Sequence, residues 1–191
     1  MIRVLLLGPQ GSGKGTQAKR IADAYGAPHI ATGEILRSAI SQGTELGRRV
    51  QPIIDRGDLV PDDLMVDLIR ERLRDEDGFV LDGFPRTVHQ AEALDSMLAE
   101  IGKPIDLVLL LQVSDDVASE RLLHRAAEEG RLDDAPEVIR NRLRLYHEET
   151  EPVVERYRTE GTLVPIPGER SVGEVAVDVD AALAQLGVRS G

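Results

Sequence analysis

The chain has no cysteine and no tryptophan, and its aromatics are only three tyrosines and two phenylalanines. Without cysteine there is no disulfide framework and no thiolate metal site. With so few aromatics, the stacking platforms that hold single-stranded nucleic acid are missing too. Positive charge is also in short supply. Against 34 acidic residues stand 23 basic ones, and the net charge of −11 argues against binding a polyanion through the whole surface. Lysine is the rarest cation, present only as Lys14, Lys19 and Lys103, and the four histidines (His29, His89, His124, His147) lack ligand spacing. No stretch approaches the ~20 apolar residues that span a bilayer. The first apolar run is short and flows straight into glycines, unlike a signal peptide. A soluble, cytoplasmic protein is expected, with no nucleic-acid or membrane partner. Nothing marks an obligate dimer, so a monomer is expected.

What is present is a regular alternation. Near-continuous apolar runs at 2–7, 28–31, 79–82, 106–113 and 162–166 read as parallel strands covered on both faces. Between them lie helical patterns at 14–25, 33–42, 45–56, 61–74, 87–101, 115–128, 136–158 and 172–186. Alternating strands and helices predict an α/β fold, a doubly wound five-stranded parallel sheet with helices on both faces and ligands at the carboxyl ends of the strands. Two excursions interrupt the alternation. Three helices instead of one separate the second and third strands, and the polar segment AEEGRLDDAP (127–136) separates the fourth and fifth. The layout predicts one domain with a core of 1–30, 61–124 and 136–191, an insertion at 31–60 and a shorter one at 125–135.

Directly after the first apolar run comes GPQGSGKGT, residues 8–16. A strand, a glycine-rich turn and a helix are the context of a phosphate loop, in which backbone N–H groups and a helix N-terminus face phosphate oxygens. Gly8, Gly13 and Lys14 fit the pattern, but Gly15 stands where a magnesium-binding hydroxyl is usual and Thr16 follows one residue late. Further on, FVLDGFPRT (79–87) is a strand ending in Asp82, then a turn and Arg86. An acid ending a neighbouring strand beside a phosphate loop is a usual partner for Mg²⁺, although Asp-Gly is also a common turn pair. Thr87 and Gln90 have capping-box spacing, so Gln90 reads equally as a cap or as a ligand contact. In APEVIRNRLRLY (135–146), Val138, Ile139, Leu143, Leu145 and Tyr146 share one helical face. Arg140 and Arg144 fall outside that face and Arg142 falls inside it. An inward arginine needs an anionic partner, either a carboxylate of the protein or a bound phosphate. Arg121 and Arg125 lie one turn apart on the helix leading to the polar segment, and Arg131 lies within it, where solvation is the plain reading.

Together these stretches resemble the adenylate kinases, within the nucleoside monophosphate kinase family. GPQGSGKGT is similar to their phosphate loop. ATGEILR (31–37) and GDLVPDDLMVDLI (57–69) resemble the arm that receives the acceptor nucleotide, GFVLDGFPRTVHQA (78–91) the family signature, and GRLDDAPEVIRNRL (130–143) the return from the lid. The resemblance runs in order along nearly the whole chain. It implies transfer of a phosphoryl group from Mg·ATP to AMP, giving two ADP. Gly11, Ser12, Gly13, Lys14, Gly15 and Thr16 would cradle ATP, with Arg121 and Arg125 on its phosphates and Gly168 against its adenine. Thr32, Arg37 and the backbone at Asp58, Leu59 and Val60 would meet AMP, as would the turn Gly83, Phe84, Pro85 and Arg86. Arg86 would hold the AMP phosphate and Gln90 would read its base. Thr32 could also cap its helix. Arg131 and Arg142 would close on the transferring group, so that Lys14, Arg86, Arg121, Arg131 and Arg142 form the catalytic set. Asp82 would reach Mg²⁺ through water. The insertion at 31–60 would be the monophosphate-binding arm and 125–135 a short lid; with no cysteines it implies no zinc. A UMP/CMP kinase of the same fold, or a nucleotide-dependent switch, are the other readings of the same motifs.

Overall fold

The opening apolar run forms the middle strand of the sheet. The computed structural model describes residues 1–129 and 135–187. Its strands are β1 (Arg3–Leu7), β2 (His29–Ala31), β3 (Phe79–Asp82), β4 (Leu107–Gln112) and β5 (Leu163–Pro167), all parallel and ordered β2-β3-β1-β4-β5. Leu5 of β1 stands opposite Leu81 on one side and Val108 on the other. The helices are α1 (Lys14–Tyr25), α2 (Thr32–Ser41), α3 (Glu45–Asp55), α4 (Asp62–Leu73), α5 (Val88–Glu100), α6 (Asp115–Glu129), α7 (Pro136–Leu145), α8 (Glu151–Thr159) and α9 (Val172–Ala184). The expected doubly wound architecture is present.

Alternation along β1 explains why every residue there is apolar. Val4 and Leu6 join one core with Ala18 and Ile21 of α1 and Val175 and Val179 of α9. Leu5 and Leu7 join the opposite core with Ile69 of α4, Leu94 of α5 and Val153 of α8. Each fully buried leucine contributes roughly 1.5–3 kcal/mol, so the strand that feeds the phosphate loop is anchored from both sides. A third small cluster, Ala118, Leu122, Ile139 and Leu143, holds α6 against α7. The chain passes from β1 out to β2 and β3 and then crosses to β4 on the other side. The crevice this reversal opens lies at the carboxyl ends of the strands, beside β1.

One element departs from the sequence reading. The single helix expected over 136–158 is divided by a π-helical turn, Tyr146–Thr150, in which the Glu151 N–H donates to Tyr146 O, five residues back. Pro152 supplies the reason. It has no N–H to give, and its ring crowds the carbonyl four residues earlier, so the preceding turn widens. The π-turn is not idle, because the buried Thr150 hydroxyl donates to Arg86 O at 2.8 Å. No helix among the described residues is long and apolar enough to cross a membrane.

Candidate active site

At the crevice the turn after β1, the start of α1, the ends of β2 and β3, and residues 168–175 line one cleft of about 760 Å³. That volume falls within the ~300–1,000 Å³ usual for small-molecule sites. Gly11 makes the loop possible. Its φ is +84°, and a Cβ there would lie 2.5 Å from Ala118 O of α6, closer than any side chain tolerates. Gly13 begins α1 without a side-chain cap, which leaves the first-turn N–H groups available to a ligand. The Lys14 ammonium donates to Gly8 O at 2.8 Å and to Pro9 O at 2.7 Å. Burial lowers its pKa to about 8. Asp82 opposes that shift, and Arg86 and Arg125 add to it.

Asp82 ends β3 paired with Leu6, and its Oδ2 lies 3.5 Å from the point where a Cβ on Gly15 would stand. Any side chain at position 15 would touch this carboxylate. Glycine there leaves the acid open to the cleft beside Lys14. Among the described residues no three His, Asp or Glu side chains gather as a metal cage. Of the other acids lining the cleft, Asp58 is engaged by Arg56 Nε at 2.8 Å and Asn141 Nδ2 at 2.9 Å. Those bonds, Arg56 first, hold its pKa below the usual carboxylate range. Of the three acids on the lining, Glu34, Asp58 and Asp82, it is Asp82 that stands beside the phosphate loop, and one such carboxylate fits Mg²⁺ carried in on phosphates, since that ion usually keeps its waters and takes one or two carboxylates.

Six cations named from the sequence line this one cleft: Lys14, Arg37, Arg86, Arg121, Arg125 and Arg142. Arg121 donates to Gly168 O at 2.9 Å, and its Nη1 lies 3.5 Å from Ser12 O, which fixes it between the phosphate loop and the turn after β5. Arg142 points inward, whereas Arg140 and Arg144 are exposed, as the helical face of α7 implied. Arg86 Nε donates to Gly83 O at 2.8 Å. Its pKa is lowered by burial, and Arg142 and Arg37 lower it further against the pull of Asp82. So many cations facing one space, outnumbering the three acids on its lining, make a site for a small, highly charged anion. Arg131 and residues 130–134 of the expected lid lie outside the described residues.

The far end of the cleft is polar in another way. Thr32 is buried, and its hydroxyl donates to Asp82 O at 3.3 Å. It does not cap its helix, because Ala31 is the N-cap and Thr32 already lies in the first turn. Gly83, at φ +84°, is forced by this contact, since a Cβ there would come within 2.5 Å of the Thr32 hydroxyl. Gln90 is 2 % exposed and lines the cleft. Half of the expected capping box forms: the Thr87 hydroxyl accepts from Gln90 N at 3.2 Å. The other half does not, because Gln90 Oε1 accepts from Arg86 N at 2.8 Å rather than from Thr87. Leu59 and Val60 reach the cleft, as does Asp58, whose N–H is taken by Ile53 O. Phe84 and Pro85 do not. Phe84 is fully buried in the core, and Pro85, joined to it by a cis peptide, lines only a small cavity beneath the loop. Their buried apolar side chains anchor the segment that presents Gly83 and Arg86.

Three residues of the site escaped the sequence reading. Thr150 holds the carbonyl of Arg86. Asn141 Nδ2 donates to Arg56 O and to Asp58 Oδ1, both at 2.9 Å, joining α7 to the end of the 31–60 insertion. Asp62 accepts from Gln90 Nε2 at 2.8 Å and from the Thr87 hydroxyl at 2.9 Å.

The family model described as adenylate kinase matches residues 6–162. A protein named adenylate kinase from Clavibacter michiganensis subsp. michiganensis (strain NCPPB 382) is 47% identical over 192 residues, covering 99% of this chain and 96% of the relative. One of the same name from Cyanothece sp. (strain PCC 7425 / ATCC 29141) is 46% identical over 189 residues, 97% of each chain. A third, from Stenotrophomonas maltophilia (strain R551-3), is 44% identical over 185 residues, 95% of this chain and 99% of the relative.

Proposed function

The chain belongs to the adenylate kinase family of nucleoside monophosphate phosphotransferases, and on that premise we propose that its cleft moves one phosphoryl group reversibly between Mg·ATP and AMP, giving two ADP. The observation that carries the reading is a single cleft with a phosphate loop, the six cations named above among its basic residues and, at one end, two buried polar side chains, Thr32 and Gln90, suited to a base.

The attacking group is a phosphate oxygen with a second pKa near ~6, so it arrives ionised at neutral pH and needs no side-chain base. What remains for the protein is to gather charge, align the two phosphates and exclude water. Lys14 and the N-terminus of α1 would take the ATP phosphates, and Arg121 and Arg125 would lie along them. Thr16, in the first turn of α1, suits the α-phosphate. Arg86, held by Gly83 O and through its own carbonyl by Thr150, is positioned for the AMP phosphate beside Arg37. Arg142, with Arg131 from the lid, would neutralise the transferring group. Mg²⁺, bound with ATP, supplies charge neutralisation across the phosphates, and Asp82 is the residue that would hold it through water. The 31–60 segment is read as the acceptor arm and 125–135 as the lid, both closing on substrate.

Thr32 and Gln90 favour adenine over pyrimidine acceptors. Forward rates with Mg·ATP and AMP, CMP or UMP test this, and AMP is expected to be phosphorylated fastest. A faster rate with CMP or UMP would move the chain to the UMP/CMP kinases.

A further inference from the structure

Asp62 does not line the cleft, yet one of its carboxylate oxygens is committed to Gln90, which would read the acceptor base, and the other to the N-cap of the helix that carries Gln90. It stands in the first turn of α4 after Pro61. Its Oδ1 accepts from Gln90 Nε2 at 2.8 Å, and its Oδ2 accepts from the Thr87 hydroxyl at 2.9 Å with His89 Nδ1 3.4 Å away. Thr87 is the N-cap of α5 and itself accepts from Gln90 N. An acid in a first turn often serves only the helix dipole. Asp63 beside it is available for that role, and dipole stabilisation alone would not require two bonds to another helix.

The consequence lies in the Gln90 amide. Its Oε1 faces the Arg86 backbone N–H, which can only donate. Its Nε2 faces a carboxylate, which can only accept. Turning the amide over would set donor against donor at Arg86 and acceptor against acceptor at Asp62. One lone pair on Oε1 and one N–H on Nε2 are left for a ligand, in one fixed order. Adenine offers an exocyclic N–H₂ beside a ring nitrogen acceptor, whereas guanine offers a carbonyl beside a ring N–H. An amide free to turn could satisfy either edge; a pinned amide satisfies only one. We propose that Asp62 is a positioning residue for nucleobase selection, fixing the Gln90 amide in the orientation that accepts a 6-amino purine monophosphate and rejects a 6-oxo one. This rests on the reading of Gln90 given above.

The test compares kcat/KM for AMP and GMP, at saturating Mg·ATP, in Asp62→Leu, Asp62→Asn and Gln90→Leu. In Asp62→Leu the AMP-over-GMP ratio is expected to fall roughly tenfold, the scale of one charged hydrogen bond, with the KM for AMP rising more than kcat falls. Asp62→Asn can still accept from Nε2 and donate to Thr87, so it restores most of the ratio. A purely structural role would lower the two substrates together. If Asp62→Leu does not fold, Asp62→Ser, too short to reach Nε2, takes its place. Loss of discrimination in Gln90→Leu together with an unchanged ratio in Asp62→Leu would overturn the role of Asp62 alone. An unchanged ratio in Gln90→Leu would overturn the base-reading role of Gln90, and the role of Asp62 with it.

Discussion

The two ends of the cleft are built from different materials. At the acceptor end the base would meet side chains, with Thr32 and Gln90 both buried and both already hydrogen-bonded to the protein. At the donor end the lining is mostly small residues, Gly168, Ser171, Val172 and Val175, with Arg170, which is paired with Asp178. There the polar groups are engaged elsewhere. Gly168 N–H donates to Gln112 O and Gly168 O accepts from Arg121. Val172 O accepts from Gln17, and the Ser171 hydroxyl belongs to the capping box of α9. A site built to hydrogen-bond a particular edge rejects an analogue lacking it far more strongly than an apolar slot does. On the proposed reading the acceptor end would therefore be the selective one, and the donor end would hold its nucleotide chiefly through phosphates.

The cations between the two ends carry the largest expected effect. Arg86→Ala should lower kcat by roughly 10²–10³, the scale of losing one preorganised charge-stabilising donor, with circular dichroism and Tm little changed. Near-normal turnover would remove Arg86 from the catalytic set. Base exchange tests the comparison itself. Replacing AMP by GMP should reduce kcat/KM by more than replacing ATP by GTP does, by roughly tenfold or more. Equal penalties at the two ends would break the contrast.

A smaller effect sharpens the donor side. Lys14, with a pKa of about 8 in the free protein, is partly deprotonated at alkaline pH. Phosphates arriving beside it favour the ammonium, so nucleotide binding should take up protons near pH ~8.5 and weaken as pH rises above that value. Titration calorimetry in buffers of different ionisation enthalpy reads this uptake, and Lys14→Met should abolish it. The smallest effect belongs to neither end. His147 bridges Asp115 Oδ2 at 3.0 Å and Glu151 Oε1 at 2.7 Å, and its pKa is raised by those bonds, Asp115 first. The stabilisation is full below its ordinary value of 6.5 and is lost as pH rises through the raised folded value. The ring is substantially exposed, so the change is modest. His147→Gln should flatten the pH dependence of Tm in that window.

Much of this was legible in the chain because its causes are local. Continuous apolar runs give doubly covered strands, and a strand, glycine turn and helix give the phosphate loop. The inward placement of Arg142 followed from 3.6-residue periodicity alone. What was not legible depends on distance or on competition. Asp62 meets Thr87 and Gln90 across 25 and 28 residues, and no spacing rule links them. Gln90 had the spacing of a capping box, but the Arg86 N–H took its oxygen instead. The π-turn did have a local sign in Pro152, but a proline near an apolar helical stripe reads as a kink before it reads as a widened turn. Phe84 and Pro85 differ from their neighbours in the turn in where their side chains go. They stand within the signature turn, yet burial assigns them to the core.

Central to all of this is that two nucleotides meet in one cleft and exchange a phosphoryl group without water. Purified protein incubated with ADP and Mg²⁺ and followed by ³¹P NMR tests it most directly. The account predicts ATP and AMP appearing in equal amounts until equilibrium, with no inorganic phosphate and no reaction when Mg²⁺ is removed. Persistence of ADP unchanged, or its conversion to AMP and inorganic phosphate, would contradict it.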